Sequence, residues 1–172
     1  KTRAGQVDFT DLLVGTRHLL QDDGVRAALQ SQFDHILVHE FQDTDPVQAE
    51  VLLLLSADDP REREWRSSKP APGKLFIVGD PKQSIYRFRR ADVELYRGVC
   101  AQLEANGAEK AKLQRSRRSV RSIQTFVNAA SEARMPAYLP LTEGRDAIGT
   151  QPGVVALPVP HTSMWWSPRS TA

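Results

Sequence analysis

Along the first 110 residues, the apolar positions follow two patterns in turn: short continuous runs and helical spacing. Two short apolar runs, in "FDHILV" and "KLFIVGD", predict strands that are buried on both faces. Apolar residues at helical spacing follow in "TDPVQAEVLLLLS" and "ADVELYRGVCAQLEANG". Asp45 can cap the first of these helices with Pro46 as its first residue, and Gly107 can end the second. Strands that alternate with helices indicate an α/β fold, a parallel sheet flanked by helices.

Other segments extend this pattern. "DFTDLLVGTRHLL" predicts a helix with an apolar stripe and with Asp8 and Asp11 at its start. "ADDPREREWRSSKPAPG" is charged and Pro-rich, which is typical of a surface loop. "AKLQRS" predicts a strand, and "SVRSIQTFVNAA" predicts a helix with an apolar face. From residue 136 the pattern dissolves, apart from a candidate strand at "GVVALPV". The predicted helical faces are Phe9, Leu12, Leu13, Thr16, Leu19 and Leu20, and Val120, Ile123, Val127 and Ala130.

Length and composition narrow the class of protein. A chain of 172 residues with 40% apolar content can bury the core of one domain or parts of two. Apolar runs stay far below the about 18 residues that a membrane span needs, and one cysteine, Cys100, suits a reducing compartment. We therefore expect a soluble, cytoplasmic protein without a membrane partner. Because neither end has the features of a domain edge, we also expect a fragment of a longer chain.

The net charge of +2 conceals an uneven distribution of charge. Residues 1–60 carry four Lys or Arg and eleven Asp or Glu, whereas residues 81–121 carry eleven basic and four acidic residues. A basic segment of this kind is the expected footprint for the phosphates of a nucleotide or a nucleic acid. The same run is also compatible with the solvated faces of Arg-rich helices.

Polar residues follow both predicted strands at the point where each strand ends. Ligands of parallel α/β sheets bind at the carboxyl ends of the strands. "HILVHEFQDT" and "LFIVGDPKQS" would therefore bring Glu40, Asp80 and Gln83 to one edge of the sheet. Cys100 and the four histidines do not have the spacing of metal ligands.

Four segments carry a resemblance to a known family. "QVDFTDLL", "ILVHEFQDTDPVQ", "LFIVGDPKQSIYRFRRAD" and "LQRSRRSVRSIQTFVN", in this order and spacing, resemble the UvrD/Rep family of superfamily 1 DNA helicases. The third segment is most similar to the RecB and AddA helicase-nuclease branch. The resemblance covers residues 6–130 and implies a motor of two RecA-like P-loop NTPase domains that hydrolyses ATP while moving along single-stranded DNA. Residues 1–108 would be the later part of the first domain, with its Walker B and Gln-containing motifs, and residues 109–172 the beginning of the second.

The resemblance also implies roles for single residues. Glu40 matches the acid that orients and deprotonates the attacking water, and it also lies in the magnesium site. Gln83 matches the glutamine that contacts the γ-phosphate of ATP. Arg118 matches the arginine that reaches the γ-phosphate from the second domain. Arg115 and Arg117 lie beside Arg118 and are alternatives for this role. A carboxylate, an amide and an arginine suit phosphoryl transfer, which needs a positioned water and charge stabilisation. ATP and Mg²⁺ are the implied cofactors.

The implied DNA contacts lie directly after Gln83. Tyr86 and Phe88 match aromatic residues that stack on bases, and Arg89 and Arg90 would supply charge for the DNA backbone. Without the resemblance, a position in the protein core is the favoured interpretation of these two aromatic residues.

Two features depart from the family. His39 stands where the family has an aspartate that holds magnesium, and a neutral imidazole is a poor substitute for a hard, anionic oxygen. We interpret His39 as a lesion in the magnesium site. A Gly-rich phosphate loop is also missing. The segment "PGKL" at residues 72–75 is not such a loop, because it lacks the upstream glycine and the hydroxyl residue.

Three functional hypotheses remain from the sequence. The first is a fragment of a RecB/AddA-like, ATP-dependent DNA helicase with 3'-5' translocation in double-strand break repair and recombination, inactive as an isolated chain. Its partners would be single-stranded DNA, DNA ends and a second helicase-nuclease subunit. The alternative, favoured by His39, is a catalytically inactive paralogue that binds DNA or a partner. An unrelated P-loop-like enzyme or nuclease is disfavoured, since no nuclease-like cluster of acids with a lysine occurs.

Overall fold

The chain consists of two compact units, Lys1–Lys110 and Ala111–Ala172. The computed structural model describes residues 5–85, 92–136, 138–146, 149 and 153–157. Within these ranges, no helix is both long enough and apolar enough to cross a membrane. The assignment of the two units to successive motor domains stays a prediction.

The first unit contains four helices and two strands among its described residues. The three helices predicted in this part of the sequence are confirmed, whereas the short helix α2 was not predicted. Short 3-10 turns follow both strands, at Phe41–Asp43 and Pro81–Gln83. The elements in chain order are α1 Phe9–Leu19, α2 Asp23–Gln30, β1 Ile36–Val38, α3 Pro46–Ser56, β2 Leu75–Ile77 and α4 Val93–Ala105.

Aspartate side chains fix where these helices begin. The Asp45 carboxylate accepts hydrogen bonds from the backbone N–H groups of Val47 and Gln48 at 2.8 and 2.9 Å, and Gln48 Oε1 accepts from Asp45 N at 3.1 Å. This reciprocal capping box satisfies donors that the first turn leaves free, and Pro46 fits there because it has no N–H. Asp8 and Asp11 form the same arrangement at α1. Gly107 lies just beyond the C-terminal end of α4 and adopts a positive φ of 90°.

Strands β1 and β2 pair in parallel, as predicted. Ile36 aligns with Leu75 and Val38 with Ile77. Hydrogen bonds from Ile36 N to Lys74 O at 2.7 Å and from Val78 N to Val38 O at 2.8 Å extend the ladder at both ends. The carboxyl ends of the two strands therefore meet at the same edge.

The core of the first unit lies on one side of this sheet. Val38, Leu75 and Ile77 pack against it, whereas Leu37 and Phe76 are 74% and 60% exposed. The prediction that both strands are buried on both faces is therefore wrong for the described structure, because the core covers a single face. The buried apolar residues are Leu20, Phe41, Ala49, Leu53, Leu54, Trp65, Val99 and Leu103.

Two other predictions for the first unit have mixed outcomes. Of the predicted stripe on α1, Leu20 is buried, but Phe9, Leu12 and Leu19 are more than half exposed. The segment 57–73 is a loop, as predicted, and its ends are tied by a bridge between Ala57 and Pro70. This loop contributes Trp65 to the core.

The second unit contains β3 Arg115–Val120, α5 Arg121–Glu132 and β4 Thr142–Arg145, with the strands parallel. The strand predicted at "AKLQRS" is shifted, because β3 follows its pairing with β4, which the sequence pattern did not indicate. Helix α5 is confirmed, yet its predicted apolar face is partly exposed and Gln124 is its buried residue. Residues 153–157 are not a strand, so that part of the prediction at "GVVALPV" is wrong, and residues 158–159 lie outside the described ranges.

Candidate functional site

The carboxyl ends of β1 and β2 lead into two neighbouring turns. Phe41 N donates to Val78 O at 3.0 Å, which holds the start of the first turn beside the end of β2. Ser84 Oγ donates to Gln42 O at 3.2 Å and ties the end of the second turn to the first. The two segments that carry the predicted site residues are thus joined by backbone and side-chain bonds.

Glu40 occupies an unusual position in the backbone. Its φ of 55° and ψ of 44° lie in the left-handed region, and among the described residues it is the one non-glycine with a positive φ. Such a conformation costs a residue with a Cβ about 1–3 kcal/mol. The Glu40 side chain is 50% exposed, so this strained corner presents a carboxylate to solvent at the strand end.

Gln42 links Glu40 to the second turn. Its side chain is buried, with 2% of the residue exposed. Nε2 donates to Glu40 Oε2 at 2.5 Å, and Oε1 accepts from Asp80 N at 2.9 Å. Because a backbone N–H can only donate, the amide oxygen must face Asp80 and the NH₂ group must face Glu40.

Gly79 and Tyr96 enclose the Gln42 amide. A Cβ atom at Gly79 would lie 2.7 Å from Gln42 Oε1 and 3.0 Å from Tyr96 Cε2, so a side chain at this position would displace one of them. Tyr96 Oη donates to Gly79 O at 3.2 Å. Burial, with a smaller effect of Cys100, raises the pKa of Tyr96 to about 12, so its hydroxyl stays protonated and remains a donor.

Asp80 connects this group to Gln83. Asp80 Oδ1 accepts from Lys82 N at 3.0 Å, and Oδ2 accepts from Gln83 Nε2 at 3.0 Å. A continuous set of hydrogen bonds therefore runs from Glu40 through Gln42 and Asp80 to Gln83. The structure brings together Glu40, Asp80 and Gln83, which the sequence placed at one sheet edge. The catalytic roles of Glu40 and Gln83 stay predictions.

His39 lies beside Glu40 and is highly exposed. Its Nε2 is 3.4 Å from Glu40 Oε1, and its side chain is 81% exposed. Mg²⁺ prefers oxygen ligands, so the Glu40 carboxylate is a suitable ligand for this ion and the imidazole nitrogen of His39 is not. Within the part of the chain that the structure describes, no group of three His, Cys, Asp or Glu residues could hold a metal ion.

An open groove of about 450 Å³ borders Glu40. It continues from the end of β1 along α3 and contains both acidic and apolar side chains. Asp43 Oδ1 faces the interior here without a hydrogen-bond partner among the described residues. The groove is lined by Leu13, Val38, His39, Glu40, Asp43, Thr44, Gln48, Val51 and Leu52.

The remaining predicted site residues lie elsewhere. Arg118 is an exposed residue of β3 in the second unit, and the neighbouring Arg115 and Arg117 are also exposed. Tyr86, Phe88, Arg89 and Arg90 lie outside the described residues.

Sequence reasoning missed Gln42 and Tyr96. Gln42 lies two residues after Glu40 and looks like an ordinary polar turn residue. Tyr96 belongs to the predicted amphipathic face of α4, where an aromatic residue needs no further explanation. The available signal was Gly79 at the end of a strand, since glycine at such a position often marks a close approach of other atoms.

Comparison with known proteins supports the resemblance of this chain to the UvrD/Rep helicases. The family model for the UvrD/REP helicase N-terminal domain matches residues 1–103. The ATP-dependent helicase/nuclease of Latilactobacillus sakei has an AddA subunit that is 36% identical over 134 residues, which cover 74% of this chain and 14% of that protein. The AddA subunits of Listeria welshimeri and Exiguobacterium sibiricum are 39% and 41% identical over 111 and 100 residues.

These relatives are much longer than the present chain. The matched regions cover 62% and 56% of this chain for the Listeria and Exiguobacterium proteins, and 8% of each of those proteins. The family model nevertheless covers more than half of the 172 residues and includes both strand ends that form the candidate site. The chain belongs to the UvrD/REP helicase family.

Proposed function

We propose that the chain is part of an ATP-dependent DNA helicase of the helicase/nuclease kind. Residues 1–108 would form the later part of a first RecA-like motor domain, and residues 109–172 the beginning of a second. The observation that carries this proposal is the hydrogen-bonded group from Glu40 to Gln83 at the carboxyl ends of two parallel strands. Parallel α/β sheets bind their ligands at this edge.

The proposed chemistry is hydrolysis of ATP. Glu40 presents a half-exposed carboxylate that can accept a proton from an attacking water. Gln83 and Arg118 offer an amide and a guanidinium for the γ-phosphate, where negative charge develops during phosphoryl transfer. Mg²⁺, when bound, would neutralise phosphate charge, and Glu40 is the residue here that fits it.

The proposed partner is single-stranded DNA. Tyr86 and Phe88 would stack on bases, and Arg89 and Arg90 would contact the phosphates that the basic segment 81–121 favours. We further propose 3'-5' translocation from DNA ends in double-strand break repair, in the cytoplasm, together with a second helicase-nuclease subunit. The names of the relatives support a role within such an assembly.

Measurement of phosphate release tests the function directly. In a complete protein that carries this segment, we expect ATP hydrolysis that rises on addition of single-stranded DNA. The 172-residue chain alone should show none, because it lacks the Gly-rich loop that cradles phosphates. Turnover by the isolated chain that is lost in Glu40→Gln would contradict the proposal that this is a partial motor.

Substitution of the two aromatic residues tests the DNA contact. In the complete protein, Tyr86→Ala and Phe88→Ala should each weaken binding of single-stranded DNA by about 1–3 kcal/mol, with little dependence on sequence. Fluorescence anisotropy with oligonucleotides of different sequence measures both effects. Phe33→Ala, which removes a 44% exposed aromatic residue, is the matched control. Unchanged affinity in both variants would instead favour a core position for these side chains.

A second candidate function is supported by His39. An imidazole at this position favours a catalytically inactive paralogue that binds DNA or a partner protein without hydrolysing ATP. The two proposals differ in one measurable property: the inactive paralogue would bind single-stranded DNA with no DNA-stimulated phosphate release.

A further inference from the structure

We propose that Gln42 is a positioning residue that holds the Glu40 carboxylate in place and couples it to the turn that carries Gln83. This inference rests on the proposed function, in which Glu40 accepts the proton of the attacking water. The proposal gives Gln42 no contact with ATP or the attacking water, and it would act through its hydrogen bonds to Glu40 and Asp80.

The first argument is that both ends of the Gln42 amide are used. A residue that is 2% exposed has lost its contact with water, so its polar atoms require partners inside the protein. Nε2 finds Glu40 Oε2 at 2.5 Å and Oε1 finds Asp80 N at 2.9 Å. The amide therefore cannot turn over without placing its NH₂ group against the N–H of Asp80 and its oxygen against a carboxylate.

The second argument is that Glu40 needs an external support. Its left-handed backbone points the side chain outward at the strand end, and half of that side chain is exposed. A glutamate in this situation has several rotamers of similar energy. A hydrogen bond from a buried, fixed donor selects one of them, and misplacement of a catalytic group by about 1 Å can cost about 10²-fold in rate.

The third argument is that the surroundings are fitted to the amide. The absence of a Cβ at Gly79 leaves the space that Gln42 Oε1 occupies, since that Cβ would approach to 2.7 Å. Tyr96 closes the same space and donates to Gly79 O. Gln42 thus fills a built site between the two strand ends, and this explains how movement at Gln83 could reach Glu40 through Asp80.

Two variants in a complete protein test the proposal. Gln42→Met keeps the volume but removes both hydrogen bonds, and it should lower kcat by about 10–100-fold while the KM for ATP changes little. Its affinity for a non-hydrolysable ATP analogue should stay unchanged. Gln42→Glu keeps the acceptor for Asp80 N but sets a second carboxylate against Glu40.

The split between kcat and KM in Gln42→Glu is the decisive readout. This variant keeps the link to Asp80 N but replaces the donor to Glu40 Oε2 by a carboxylate oxygen, which repels it. It should therefore lower kcat at least as much as Gln42→Met does, while the KM for ATP changes little.

Gln30→Met is the matched control for a buried amide. Gln30 is 8% exposed, and its Nε2 donates to Leu54 O and Ala57 O at 2.8 and 3.1 Å. Its replacement should lower Tm and leave kcat and the KM for ATP as they are. If Gln42→Met does not fold, Gly79→Ala provides a second route, because it displaces the Gln42 amide and should lower kcat in the same way.

Glu40→Gln separates the two proposals. If this variant hydrolyses ATP normally, the proposed role of Glu40 is wrong. If Glu40→Gln is inactive but Gln42→Met, Gln42→Glu and Gly79→Ala keep the parent's kcat, Gln42 is only a structural residue and the inference is overturned.

Discussion

Replacement of Glu40 by glutamine in a complete protein is expected to reduce DNA-stimulated ATP hydrolysis by about 10²–10⁴-fold. The amide has nearly the shape of the carboxylate but cannot accept the proton of an attacking water. Because the backbone at residue 40 is unchanged, the fold should remain intact. Steady-state phosphate release at saturating ATP and DNA measures the loss.

The comparison for this variant is Glu109→Gln. Glu109 is an exposed glutamate that lies outside the helices and strands, so its replacement removes the same charge far along the chain from the candidate site. We expect parental activity in this control. A Glu40→Gln protein that hydrolyses ATP within a few-fold of the parent would show that another group serves as the base.

Replacement of His39 by aspartate should produce a large gain. The change gives the strand end a second carboxylate beside Glu40, and it replaces a neutral nitrogen by the anionic oxygen that Mg²⁺ prefers. By comparison with substitutions around metal sites, which alter affinity or activity by about 10–100-fold, magnesium-dependent ATPase activity should rise by about this factor. Titration of Mg²⁺ at fixed ATP measures both activity and apparent metal affinity.

His39→Asn distinguishes the effect of charge from that of size. Asparagine supplies an oxygen of similar reach without a negative charge, so its gain should be smaller than that of aspartate. Since His39 is 81% exposed, neither replacement should destabilise the fold. Equal activity of His39→Asp and the parent would mean that phosphate and water hold the ion sufficiently, and His39 would then not be a lesion.

The elements that were predicted correctly are those with local causes. Helix α3 begins at Pro46 with Asp45 as its cap, as predicted. This prediction was possible because a cap and a first-turn proline act within a few residues. Strand β4 and the register of β3 depend on their pairing with each other across an intervening helix. Such pairing leaves no periodic signal in "TEGR", and this is why the second unit was predicted less well.

The site shows the same division between local and tertiary causes. The rule that ligands bind at strand ends was enough to bring Glu40, Asp80 and Gln83 together. The part played by Gln42 depends on its burial, which arises only when the turn after β1 packs against Gly79 and Tyr96. Polar residues in turns are usually solvated, so the sequence alone gives no reason to select this one.

Because the backbone at Glu40 is left-handed, the residue that would best stabilise the fold at this position differs from the residue that the proposed activity needs. A glycine there would relieve the strain of about 1–3 kcal/mol, and asparagine would tolerate it better than glutamate does. In a lineage freed from the need to hydrolyse ATP, mutation would therefore tend to replace this glutamate with residues that fold more easily. Relatives that have become inactive should carry glycine or asparagine at this position more often than active ones.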